Sequence, residues 1–552
     1  MVFFIFVIKK MRTLILFLCC FLTTTLMLGQ NTVGTLRNDL GTYDAYTLLS
    51  PINSTETYLL NNCGQVVHQW TSTYTPGASV YLLENGNLLR TGKIANNNFQ
   101  FGGVGGKIEL FDWDNNLIWE YTYTDSTYTQ HHDIYPLPNG NILMIVATVM
   151  TEAEALQAGR NPANLTQGEV FNEQILEIQP FGTNQANVVW EWNIKDHLVQ
   201  DFDATKDNFG VVADNPNRLD FNYINATNAT ANWLHCNSLQ YNPALDQLVL
   251  SSRIMSEIYI IDHSTTTAEA ATSTGGTYGK GGDFLYRWGN KAAYDKGTSS
   301  NQTLFGQHYP HWIADGLTDA GKIMIFNNGG ARAYSSIDII DPMVTTPGNY
   351  TYDNVNGYGP TNAEWIYTTP TNTDFFTAIL SSGERLPNGN TLICDGDSGY
   401  FFEIDPAENI VWEYVNPDAT NGIINQGDTA SFNLVFRAHK FSFDYPAFTG
   451  KNLTPGDPIE TNPDISNCNL LNVTENVLDE NSIKLFPNPV VDYLTIEYTK
   501  SISSIEVYTI FGQLLKKVTD TKTIKFGNLA SGFYLIRVNS EEGSITKKIL
   551  KQ

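Results

Sequence analysis

Three histidines, His132, His235 and His308, each stand a short way ahead of an apolar stretch of similar character. These stretches are Leu137-Pro-Asn-Gly-Asn141, Leu248-Val-Leu-Ser-Ser-Arg253 and Ile323-Met-Ile-Phe326. Arg253 closes the second of them. Imidazoles gathered with one guanidinium suit a small tetrahedral anion such as a sulfuryl or phosphoryl group, because the guanidinium offers a planar fork of donors. A neutral imidazole, with a reference pKa of about 6.5, can also attack such a group at neutral pH. Other residues compete for the same centre. His311 follows His308 by three residues in Gln307-His-Tyr-Pro-His311, His131 adjoins His132, and Arg437 and His439 share Phe436-Arg-Ala-His439. His68, His197 and His263 fall within a strand, a long insertion and a turn, and read as structural.

Histidines far apart in sequence meet if the elements carrying them repeat around a common axis. The chain has such a repeat. Trp-centred strands recur as Val67-His-Gln-Trp70, Leu117-Ile-Trp-Glu-Tyr121, Val188-Val-Trp-Glu-Trp192, Phe284-Leu-Tyr-Arg-Trp288, Glu364-Trp-Ile-Tyr367 and Ile410-Val-Trp-Glu-Tyr414. Hairpin turns recur as Glu84-Asn-Gly-Asn87, Pro138-Asn-Gly-Asn141 and Pro387-Asn-Gly-Asn390, a pattern expected to place both central turn residues at positive φ. The spacing predicts an all-β protein built as a six-bladed β-propeller, in which corresponding strand positions face one channel.

The chain has 552 residues, 12% of them aromatic and only 16% charged, with 43 glycines and a net charge of −25. Such length predicts more than one domain. Residues 1–30 carry Lys9, Lys10 and Arg12 before an apolar run from Leu14 to Leu28 and read as a signal peptide, leaving no transmembrane anchor in the mature chain. Residues 31–450 form the expected propeller, 451–480 a Pro- and Asn-rich linker, and 481–552 a small C-terminal β-sandwich. The acidic body disfavours nucleic acid and anionic lipid. Past the leader, Cys63, Cys236, Cys394 and Cys468 allow three full pairings, among which the sequence does not choose. No CxxC pair exists, Asp395-Gly-Asp-Ser-Gly399 reads as a turn, and no metal or other cofactor is expected. Gly102-Gly-Val-Gly-Gly-Lys107 has the wrong spacing for a phosphate loop and Ile108 where a hydroxyl is needed. The Cys-based signature of formylglycine sulfatases is absent.

Gln130-His-His-Asp133, Trp233-Leu-His-Cys-Asn-Ser238 with Arg253, and Phe305-Gly-Gln-His308 followed by Phe326-Asn-Asn-Gly329 resemble the bacterial arylsulfate sulfotransferases over residues 45–448. The resemblance implies transfer of a sulfuryl group from an aryl sulfate to a phenol by a ping-pong route through a sulfohistidine, without a nucleotide donor. It implies His308 as the nucleophile, with His132, His235 and Arg253 holding the sulfuryl oxygens. His132 is preferred to His131 as the residue preceding Asp133, and His308 to His311. Phe486-Pro-Asn-Pro489, Val507-Tyr-Thr-Ile-Phe-Gly512 and Leu529-Ala-Ser-Gly-Phe-Tyr534, with a Lys-rich end, resemble the type A sorting domain of the type IX secretion system. That resemblance implies the type IX machinery as a partner and a secreted or cell-surface location. The alternative function is a secreted, non-catalytic propeller that binds a sulfated or phenolic ligand or a surface polymer.

Overall fold

The computed structural model describes residues 31–225, 230–342, 344–469, 483–509, 514–519, 521–540 and 543–552, so the expected signal peptide lies outside the described residues. The protein is mostly β and divides into one compact unit ending at Cys468 and another beginning at Asn469. Among the described residues no helix is long and apolar enough to cross a membrane.

The first unit is a succession of four-stranded antiparallel meanders. The leading strand of each is followed by three more in chain order. The first meander takes its leading strand, Val435–Ser442, from the end of the unit and continues with Ala45–Pro51, Glu56–Leu60 and Val66–Thr71. The second begins at Pro76–Leu82 and the third at Tyr128–Pro136, the two being joined by a single parallel bridge between Ala78 and His132. The fourth begins at Cys236–Asn242, the fifth at His308–Trp312 and the sixth at Ser382–Arg385. Gly34–Asn38 adds a fifth strand to the edge of the sixth meander.

Each Trp-centred segment supplies the last strand of its meander, and its indole reaches into the next. Trp70 donates to the Asp112 carbonyl, Trp119 to Gln185, Trp192 to Gly282 and Trp288 to Pro360. Trp365 donates to the Glu408 carboxylate, and Trp412 returns to the Asn62 carbonyl of the first meander. The six bonds form a closed cycle. Burying an indole contributes roughly 2–3 kcal/mol of hydrophobic stabilisation and its satisfied N–H about 1 kcal/mol more, so the repeated Trp both fills the seam and orients it.

The three Asn-Gly hairpins share one geometry that differs from the expectation. Only the glycines, Gly86, Gly140 and Gly389, have positive φ. The preceding Asn85, Asn139 and Asn388 instead turn their side-chain oxygens onto the backbone N–H two residues on. That local bond holds the asparagine out of the left-handed region, so each turn is a glycine-bulge hairpin.

Residues 451–468, read above as the start of a linker, are held on the first unit. Gly456 N–H donates to the Val66 carbonyl, and Cys468 forms a disulfide with Cys63. Cys236 and Cys394 are buried free thiols. The second unit contains a three-stranded sheet, Lys484–Phe486, Tyr493–Glu497 and Thr523–Lys525, and a four-stranded sheet, Ser504–Thr509, Leu514–Thr519, Gly532–Ser540 and Gly543–Lys551. Leu494, Ile496 and Ile524 of one share an apolar cluster with Ile505, Val507, Ile536 and Val538 of the other.

Candidate functional site

The leading strands of the third, fourth and fifth meanders each break register beside a histidine. Such a bulge bends a strand and re-aims its side chains. His132 and His235 are themselves the left-handed residues, at φ +50° and +49°, a conformation that costs about 1–2 kcal/mol outside glycine. In the fifth meander the left-handed residue is Tyr309, one position after His308.

The structure brings His132, His235, His308 and Arg253 together. The His132 and His235 rings meet edge to face with centroids 4.7 Å apart. Asn232 donates its amide N–H to His235 Nδ1 at 2.7 Å, which leaves the His235 proton on Nε2. Arg253 donates to the Ala378 carbonyl, while its Nε–H is buried without a partner. A buried, unpaired guanidinium N–H is a costly group that an anion would satisfy.

His308 is 3% exposed and its Nδ1 lies 2.7 Å from Asn328 Oδ1. Asn328 Nδ2 donates to the Thr377 and Leu380 carbonyls, which can only accept, so its oxygen must face His308. The His308 proton therefore sits on Nδ1 and Nε2 carries a lone pair. Burial pushes its pKa down to about 3 against the pull of Asn328, with Arg253 and Arg437 adding to the depression. His132 is held well below the usual histidine range by burial, then by His235, His131, His308 and Arg253. Burial, followed by Arg253, His131 and His308, acts likewise on His235.

The remaining candidates lie in another environment. Arg437 grips both carboxylate oxygens of Asp133, at 3.0 and 2.5 Å, and also reaches Tyr81 and Ser238. Leu239 N–H donates to the same carboxylate, so this buried pair ties four meanders together. His439 pairs with Glu384 at 3.3 Å and meets the Tyr309 ring, against which His311 stacks. Burial pushes His311 down to about 4. His311 and His439 thus belong to the Tyr309 and Glu384 cluster rather than to the Arg253 group. His68, His197 and His263 are bonded to the Trp113 carbonyl, to Asp283 and to Asp246 and Glu177 respectively.

Several site neighbours carried no signal in the sequence. Phe101 stacks on His132 with centroids 6.4 Å apart and meets His235 edge-on. Gly103, at φ +82°, lies so close beneath His132 that a Cβ there would be 2.2 Å from Nε2. Gly103 of the glycine-rich segment is therefore a close-packing device for an imidazole. Among the described residues no three His, Cys, Asp or Glu side chains are grouped as a metal site.

The first unit is a mostly β protein in which a cycle of antiparallel meanders gathers three imidazoles and a guanidinium. Residues 37–445 match the arylsulfotransferase (ASST) family, and the chain belongs to that family. Membership supports aryl sulfotransferase activity in general, with a sulfate donor and a phenolic acceptor as partners. Residues 484–552 match the secretion system C-terminal sorting domain, of the type IX kind, which indicates secretion or a surface location. No curated protein matches the chain. Among solved structures, a Bacteroides caccae protein of unknown function is 9% identical with a TM-score of 0.39, covering 72% of this chain and 99% of its own. The periplasmic gluconolactonase of Pseudomonas aeruginosa is 10% identical with a TM-score of 0.34, covering 72% and 99%.

Proposed function

We propose that the protein transfers a sulfuryl group from an aryl sulfate to a phenol in two steps, through a sulfohistidine at His308. In the first step the Nε2 lone pair of His308 attacks sulfur in line with the aryl oxygen, the N–S bond forms, and the S–O(aryl) bond breaks with its electron pair leaving on the phenolate. In the second a phenolic oxygen attacks the same sulfur, the N–S bond breaks, and His308 is regenerated. Arg253 and the Nε2–H of His235 hold the sulfuryl oxygens, where negative charge is redistributed during transfer. His132 completes the ring of groups around them. A phenolate, with a conjugate acid pKa of about 10, leaves far more readily than an alkoxide.

The observation that carries this reading is the bond from His308 Nδ1 to Asn328 Oδ1, which leaves the lone pair on Nε2. The six meanders and their cycle of indole bonds support a six-bladed β-propeller as its frame, and the shared apolar cluster of the second unit supports a sandwich. Residues 1–30 are proposed as the export signal, 31–450 as the propeller and 481–552 as the sorting domain. The test is mass spectrometry of protein treated with an aryl sulfate alone. A sulfuryl adduct on the peptide holding His308, absent in His308→Ala, is expected; an adduct that persists in that variant would overturn the assignment.

A further inference from the structure

Behind His132 lies a chain of buried polar groups that the transfer reaction above does not use. His132 Nδ1 is 2.9 Å from His131 Nδ1, and His131 Nε2 is 2.9 Å from Glu173 Oε2. The other Glu173 oxygen accepts the Cys236 backbone N–H at 3.0 Å. His131 is 0% and Glu173 2% exposed, and the far end of the chain is His132, which meets His235. The strand between them supplies Ala147, paired in register with both Thr129 and Glu173, whose methyl group leaves room for the contact. Phe101 closes the chain from the other side, edge-on to His131 at 5.3 Å.

These contacts limit where protons can sit. A carboxylate at Glu173 requires a proton on His131 Nε2. Two facing Nδ1 atoms can share only one proton. When it sits on His132, His131 is neutral. When it sits on His131, that ring is an imidazolium beside Glu173, and His132 is a neutral imidazole whose Nε2 carries the second proton. His132 can therefore present an N–H toward the sulfuryl group while the positive charge rests two groups away. This placement suits a ring where burial, then His235, His131, His308 and Arg253, oppose charge on His132 itself.

Resting on the sulfotransfer reading, we infer that Glu173, His131 and His132 form a proton relay that protonates the departing phenolate and takes the proton back from the acceptor phenol. In the first half-reaction His132 Nε2–H gives its proton to the aryl oxygen as the S–O bond breaks. The proton on His131 Nδ1 moves to His132 Nδ1, and the His131 imidazolium becomes neutral. In the second half the acceptor O–H proton goes to His132 Nε2 and both shifts reverse. One proton is borrowed and one returned, so atoms and charge balance over the cycle. His132 is then the catalytic acid and base, and His131 and Glu173 are positioning residues. His235, its Nδ1 occupied by Asn232, stays a fixed donor.

The discriminating variant is Glu173→Gln, nearly the same shape. Its amide oxygen still accepts from Cys236 N–H, so its NH₂ must face His131. That reverses the His131 tautomer and forbids the imidazolium, and His132 then holds a proton it cannot release. General acid help matters most for a poor leaving group. The kcat/KM of the variant is expected to fall roughly 100-fold with phenyl sulfate and by no more than about tenfold with 4-nitrophenyl sulfate. Equal losses with both donors would mean that Glu173 acts only on structure and would overturn the relay. A second readout does not depend on turnover. Nitrogen NMR of histidine-labelled wild type should show a proton shared by the two facing Nδ1 atoms and a second proton on His131 Nε2, the latter lost in Glu173→Gln. Absence of the shared proton in the wild type sinks the relay, whereas a shared proton in a protein that transfers no sulfate would instead sink the sulfotransfer reading.

Discussion

Asn328 and His308 are joined by a 2.7 Å bond whose polarity is set from behind, because the Asn328 amide nitrogen is committed to two backbone carbonyls. The amide cannot turn without burying two unpaired carbonyls against its own oxygen. One imidazole tautomer is thereby selected before any substrate arrives. Asn328→Ala releases it. Transfer should fall about 10- to 100-fold, the kinetic equivalent of losing a hydrogen bond of 1–3 kcal/mol. Steady-state kcat/KM alongside near-UV circular dichroism checks this, and an unchanged rate in a folded variant would contradict it.

Among the described residues Arg253 has no carboxylate partner, and its buried Nε–H is unpaired. Arg253→Met should reduce kcat/KM for aryl sulfates by about 100-fold, within the range seen on removing one oxyanion donor. Arg253→Lys should recover only part of that loss, since a point charge cannot offer two parallel N–H groups. Full recovery with lysine would show that charge alone matters there.

Gly103 is required twice over, by its positive φ and by the imidazole lying against it. Gly103→Ala should cost about 1–3 kcal/mol in stability through backbone strain. It should also lower transfer at least tenfold by displacing His132. Thermal melting and kinetics measured on the same sample separate the two effects; a variant as stable and active as wild type would refute both.

Stability should depend on pH through the buried imidazoles. Unfolded, they take up protons near pH 6.5, whereas folded His308 does so only at about pH 3. Between those values the unfolded chain binds more protons, so acid favours unfolding. The stability contributed by neutral His308 is complete above pH 6.5 and drains away as pH falls toward 3. The melting temperature should decline from pH 7 to pH 4, and less steeply in His308→Gln. Parallel slopes for the two proteins would remove His308 as a cause.

The neighbourhood of His132, His235 and His308 follows from their places ahead of similarly patterned strands, a signal carried by side-chain type and spacing. The Trp strands were equally legible, because indoles are rare and each sits in a similar short apolar phrase. Their hydrogen-bond partners were not, since the carbonyls of Asp112, Gln185, Gly282, Pro360 and Asn62 are backbone atoms that every residue possesses. Glu173 sits in Asn172-Glu-Gln174, where nothing repeats, and reaches His131 only because Ala147 separates them across the sheet. The segment from residue 451 looked like a linker by its prolines, yet Cys468 ties it down. Pairing of distant cysteines is a property of the folded chain alone.

The leading strand of the first meander, Val435–Ser442, is the last strand of the unit to leave the ribosome. Until it arrives, Ala45–Pro51 has an open edge and Asp133, next to His132, lacks the Arg437 grip. Every histidine of the site has by then been synthesised. Such long-range pairing is slow, because the loop must close before its contacts reward it. A chain cut short of residue 435 therefore lacks both the strand that covers Ala45–Pro51 and the guanidinium that holds Asp133.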